Sequence, residues 1–96
     1  MAGYLIVDVR VTDAAAYERY KAAVGPTLVP FGGRALVRGG RVDTLEGDWS
    51  PSRIVVIEFP SMEKAKAWWS SEEYAPLKKL RQSAATTRLI AVEGVE

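Results

Sequence analysis

The sequence predicts an α+β fold: a ferredoxin-like β-α-β-β-α-β sandwich, with a four-stranded antiparallel sheet and helices on one face. Three observations predict it. Tyr4 to Val11 and Arg53 to Phe59 are rich in β-branched and aromatic residues, and each leads into a segment of helical periodicity. Arg34 to Glu46 reads as extended and is joined to the second run by a turn at Gly47 to Ser52, while a last strand-like run spans Thr86 to Glu93. At 96 residues and 48% apolar, residues 1–96 form one domain with a thin core.

The first strand places Leu5, Val7, Val9 and Val11 on one side and Tyr4, Ile6, Asp8 and Arg10 on the other, because side chains alternate along a strand. Thr12 or Asp13 caps a helix in which Tyr17, Tyr20 and Val24 share a stripe that packs on the apolar strand face. Gly25-Pro26 interrupts this helix, and Gly32-Gly33 ends the short apolar segment that follows. The stretch from Arg34 to Glu46 is expected to bulge or bend at Gly39-Gly40. A one-residue slip there would exchange every side chain between the two faces. Near-continuous apolar character puts Arg53 to Phe59 in a central strand buried on both faces. Ser61 then caps a helix whose inner face carries Met62, Ala65 and Trp69, with Trp68 at its edge. Ser70-x-x-Glu73 has capping-box spacing and Pro76 fits the first turn of a further helix, with Tyr74, Leu77, Arg81 and Ala84 on one side.

With helices on one face, the other carries Tyr4, Ile6 and, by register, Ile54 and Val56, which is too apolar for water in so small a domain. A second copy is the expected cover, giving a homodimer of two sheets packed face to face.

Composition removes several function classes. The chain has no cysteine and no histidine, so thiolate chemistry, histidine-ligated metals and a Ser-His-Asp triad are excluded. Thirteen Lys and Arg against twelve Asp and Glu, mixed along the chain, argue against a nucleic-acid partner. Arg34, Arg38, Arg41 and Arg53 around the hairpin make either a polyanion patch or a solvated hairpin. Asp8 and Arg10 interrupt the longest apolar run, short of the roughly 20 residues of a membrane span, so no membrane partner and a cytoplasmic location are expected. Neither glycine pair forms a phosphate-binding loop.

Several segments together resemble one family: Gly32-Gly33 with Leu36-Val37-Arg38-Gly39-Gly40, Leu45-Glu46-Gly47, Arg53 with Val55-Val56-Ile57-Glu58-Phe59-Pro60-Ser61, and Ser71-x-x-Tyr74 with Arg81. They resemble the domain-of-unknown-function family numbered 1330, of the dimeric α/β-barrel superfamily, over nearly the whole chain. The resemblance implies a ferredoxin-like protomer pairing as a dimeric barrel, and it brings no catalytic residue with it. Neighbouring families include cofactor-independent monooxygenases, haem-degrading enzymes, lactone isomerases and ligand-binding regulators, among which fold alone does not choose. Haem chemistry is disfavoured by the missing histidine.

The candidate site residues follow from charge and placement. Asp8, Arg10 and Glu58 either project into a chamber or pair with one another at strand ends. A desolvated Glu58 has the chemistry of a general base, whereas Arg38, before the double glycine, and Arg81 suit orientation of an anion. Tyr74 and Arg81, seven residues apart, could line one wall, with Tyr74 as proton donor or as an interface residue. Trp68 or Trp69 covers a pocket mouth or the dimer seam, and Trp49 could do likewise. The first reading is a homodimer binding or converting a small organic molecule, an anion among the candidates, beside the sheet without metal or cofactor. Its rival is a non-catalytic module in which the same polar residues build the interface.

Overall fold

A computed structural model describes residues 1–95. In chain order it contains β1 (Gly3–Val11), α1 (Ala14–Leu28), β2 (Arg34–Arg38), β3 (Ile54–Phe59), α2 (Met62–Trp69), α3 (Ala75–Ala84) and β4 (Ala85–Glu93). The strands form one four-stranded sheet in the order β2-β3-β1-β4, each neighbouring pair antiparallel. This is the predicted ferredoxin-like arrangement. No helix among the described residues is long and apolar enough to cross a membrane.

Alternation along the central strands decides the core. Leu5, Val7 and Val9 of β1 and Ile57 and Phe59 of β3 point to the helices, where they meet Tyr17, Tyr20, Trp68 and Tyr74. Each large side chain so buried contributes roughly 1.5–3 kcal/mol. Polar caps start the helices over this core: Asp13 accepts from the Ala16 amide and Ser61 from the Lys64 amide, both at 3.1 Å.

Five expectations need correction. First, α1 runs through Gly25-Pro26 to Leu28. Pro26 has no N–H to give the Ala22 carbonyl, and Thr27 Oγ1 adds a separate bond to the Val24 carbonyl at 2.6 Å in the same turn. Second, β2 stops at Arg38 rather than Glu46, and its bulge lies between Ala35 and Val37. Gly39 ends the ladder by adopting φ +76, which turns the chain out of extended geometry. Third, β3 is only half-buried at Ile54 and Val56, since no helix covers that side, where the loop before β3 reaches only as far as Trp49 on Asp8. Fourth, Trp68 and not Trp69 joins Ala65 in the core, three residues on along α2, while Lys78 Nζ sits 3.8 Å from the outward Trp69 ring centroid. Fifth, Ser71 rather than Ser70 caps the next turn: its hydroxyl accepts from the Tyr74 amide at 3.2 Å, whereas Ser70 Oγ bonds back to the Lys66 carbonyl.

Candidate functional site: a groove between the first helix and the sheet

Tyr17, Tyr20 and Val24 of α1 stand over Ala35, Val55 and Ile57 of the sheet, leaving a groove of about 560 Å³. Arg38 and Arg53 close one side of it. Arg53 is held by its backbone, because its carbonyl accepts from the Val9 amide at 2.9 Å and Ser52 Oγ donates to the Val9 carbonyl at 3.1 Å. Its guanidinium lies 5.4 Å from the Tyr17 ring centroid and donates through Nη2 to the Arg38 carbonyl at 3.3 Å. Gly39 makes that position possible: a Cβ there would stand 2.3 Å from Arg53 Nη1. Arg53 Nε is buried and has no acceptor among the described residues.

The electrostatics of the groove are one-sided. Its lining carries Lys21, Arg38 and Arg53 and no carboxylate. Lys21 is paired with Glu18 at 2.9 Å, but no ion pair among the described residues engages Arg38 or Arg53. Arg38 is exposed and Arg53 half-buried, so their guanidinium groups offer an anion in the groove charge-assisted donors that no carboxylate of the chain occupies.

Behind the groove a second arginine-centred network fills the core. Tyr20 and Tyr74 hydroxyls are 2.8 Å apart, Tyr74 Oη accepts from Arg81 Nε at 3.1 Å, and Arg81 Nη1 donates to Thr87 Oγ1 at 2.6 Å. Arg81 is only 4% exposed and has no carboxylate partner among the described residues. Trp68 stacks on Tyr74 with centroids 3.8 Å apart and donates through Nε1 to Thr27 Oγ1 at 3.0 Å, which fixes the back wall. Burial, reinforced by the neighbouring Tyr74, pushes the Tyr20 hydroxyl well above the ordinary tyrosine range and keeps it protonated.

Glu58 lies elsewhere. Ile57 and Phe59 face the helices, so Glu58 between them points to the open side of the sheet, away from Tyr74, Arg81 and Trp68. There it accepts from Arg34 Nε at 2.8 Å and Tyr4 Oη at 3.2 Å, and the bond to Glu58 raises the Tyr4 hydroxyl above its usual range. Asp8, on the same side, accepts from Arg88 Nη2 and from Trp49 Nε1, both at 3.0 Å. The open face thus has three rows. Val37, Val56, Ile6 and Ile90 stand side by side across all four strands, flanked by one row with the Arg34–Glu58 pair and another with the Asp8–Arg88 pair.

Residues 2–95 match the model of the domain of unknown function DUF1330. The chain belongs to this family. No curated protein matches it. Among solved structures it is similar to a protein of unknown function from Rhodopseudomonas palustris, with TM-score 0.79 and 23% identity over 99% of this chain and 83% of that one. A dimeric ferredoxin-like protein of unknown function from Jannaschia sp. CCS1 matches with TM-score 0.68 and 11% identity over 98% and 100% of the two chains. SnoaB, a cofactor-independent oxygenase from Streptomyces nogalater, matches with TM-score 0.68 and 10% identity over 99% and 94%. At these identities the likeness establishes the fold.

In this DUF1330 chain, then, Arg38 lines the groove, Tyr74, Arg81 and Trp68 stand behind it, and Glu58 is across the sheet. Sequence reasoning placed Arg53 in a hairpin patch of four arginines rather than in a groove, and took Tyr20 for plain core. The available signal was Gly39, a residue without a side chain where the arginine just before the next strand needs room.

Proposed function

We propose that this protein is a homodimer that binds a small organic anion in the groove between α1 and the sheet. The observation that carries the reading is a groove lined by Lys21, Arg38 and Arg53 and no carboxylate, with no ion pair among the described residues engaging either arginine. Arg38 and Arg53 orient the anion, and the tyrosine faces and Val24 enclose its apolar part. Tyr74, Arg81 and Trp68 support the site from behind rather than touching the ligand. That a protein of this fold is a cofactor-independent oxygenase supports a reading that asks for no metal or cofactor.

The dimer reading rests on the open face. An apolar stripe between two rows of internally paired charges is suited to a second copy of itself, and a neighbour of this fold is dimeric. In this reading Glu58 serves the interface, with Tyr4 and Arg34, and not the groove.

Calorimetric titration with benzoate and its uncharged analogue benzamide tests the groove. Benzoate is expected to bind at least about tenfold tighter, and Arg53→Ala to erase the preference. Equal affinities for the two, or no binding of either, would sink the reading. Sedimentation at micromolar concentration tests the dimer, and a monomer there would remove it.

A further inference from the structure

We propose that Tyr20 supplies a hydroxyl hydrogen to the oxygen of the anion bound in the groove, and that Arg81, acting through Tyr74, fixes the direction of that donation. The inference rests on the groove reading above and assigns the oxygen-binding group within it.

The direction follows from the donor inventory. A guanidinium only donates, so in the 3.1 Å contact Tyr74 Oη is the acceptor and Arg81 Nε the donor. Tyr74 keeps one hydrogen of its own, and the neighbour for it is Tyr20 Oη at 2.8 Å. Two arrangements satisfy that distance. If Tyr20 donated to Tyr74, the Tyr74 hydrogen would be left without an acceptor in a residue 1% exposed, at the cost of an unpaired buried donor. If Tyr74 donates to Tyr20, the spare hydrogen belongs to Tyr20, which lines the groove, where water or a ligand can accept it. The second arrangement puts the spare hydrogen on the one of the two residues that borders the groove, Tyr20 at 8% exposed against 1% for Tyr74.

Arg81 then does more than hold Tyr74 in place. Its charge has no carboxylate to neutralise it among the described residues, and it polarises the chain of hydroxyls toward the groove. The burial that keeps Tyr20 protonated keeps the donor loaded. Tyr17 joins the two ends of the site: its ring centroid is 5.4 Å from Arg53 Cζ and 5.6 Å from the Tyr20 ring. The ligand class is therefore an oxyanion, met by a guanidinium on one side of Tyr17 and a neutral hydroxyl donor at the other residue. Arg81 and Tyr74 are positioning residues, and Tyr20 is the contact.

Tyrosine labelled with ¹³C at Cζ reports each hydroxyl, and the chain has only four tyrosines. With sodium benzoate as probe, the Tyr20 and Tyr17 resonances are expected to move saturably while Tyr4, across the sheet, stays still. Tyr74→Phe is expected to weaken benzoate roughly tenfold and to abolish the Tyr20 shift. Arg81→Lys, which keeps a charge and a donor, is expected to retain that shift, and Arg81→Met to lose it. If benzoate binds and moves Tyr17 but leaves Tyr20 still, with Tyr74→Phe binding as tightly as the native protein, the relay is overturned and the groove stands. If no tyrosine moves at any benzoate concentration, the groove reading falls and takes the relay with it.

Discussion

The two faces of one sheet use alternate residues of the same strands and arrive at opposite electrostatics. On the open face each arginine that meets a carboxylate meets it directly across the ladder, Arg34 with Glu58 and Arg88 with Asp8. On the helix side Arg38, Arg53 and Arg81 have no carboxylate within ion-pair reach among the described residues. Paired charges beside an apolar stripe can be covered by another protein surface at less cost than unpaired ones, because their hydrogen bonds are already made. Unpaired guanidinium groups beside an apolar groove leave donors for an anion that the chain does not itself supply. In the proposed reading, the difference gives assembly to one face and ligand to the other.

The largest effects belong on the helix side. Trp68→Ala removes a side chain 1% exposed that stacks on Tyr74 and bonds Thr27, and a loss of about 3–5 kcal/mol is expected in denaturant unfolding. Trp69→Ala, one residue along and 41% exposed, is expected to change stability by under about 1 kcal/mol, its main partner being the Lys78 ammonium. Similar losses for both would mean that α2 is rotated from the orientation described.

The next effect tests the open face. Ile90 is 58% exposed in the protomer, so Ile90→Asp should leave unfolding of the protomer almost unchanged while placing a charge in the apolar stripe. A rise in the dimer dissociation constant of roughly a hundredfold is expected by sedimentation, since a buried unpaired carboxylate costs several kcal/mol. An unchanged constant would show that copies do not meet through this stripe.

Much of this contrast was legible in the sequence, and the limit was register. The alternation of Leu5, Val7 and Val9 against Tyr4, Ile6 and Asp8 gave the two faces of β1, and the end-stop at Pro60-Ser61 gave β3 and α2. Tyr74 and Arg81 were read as one wall because two helical turns bring them together, and they do bond. Glu58 was grouped with them because periodicity along β3 was masked: Ile54 and Val56 are as apolar as Val55 and Ile57, so the run read as buried on both sides. The place of Arg53 in the groove was hidden for another reason. Its placement depends on a positive φ at Gly39 and on a ring from α1, two events distant in sequence.

A smaller effect is expected in alkali. Tyr20 holds its proton above the ordinary tyrosine pKa of about 10, chiefly through burial. Between that value and its folded value the unfolded chain has lost the proton and the native protein has not, so stability is fully present below pH ~10 and falls as pH rises above it. One such group gives a slope of up to about 1.4 kcal/mol per pH unit, and Tyr20→Phe is expected to flatten it in unfolding measured between pH 9 and 11. An unaltered slope would mean that burial does not hold the Tyr20 proton in the native protein.

The smallest effect sharpens the division most. Glu58→Gln keeps the shape of the side chain and can still accept from Tyr4, but it removes the charge facing Arg34, whose side chain is 73% exposed against 24% for Glu58. So exposed a pair is worth under about 1 kcal/mol to the protomer. Because the sheet lies between Glu58 and the groove, benzoate affinity is expected to be unchanged, while the dimer, which would bury an Arg34 left without its carboxylate, is expected to weaken several-fold. The opposite pattern, a lost benzoate site with an intact dimer, would require Glu58 to act on the helix side and would return it to the role of base that its motif first suggested. Measuring both quantities on this one variant therefore separates a carboxylate that serves assembly from one that serves the ligand.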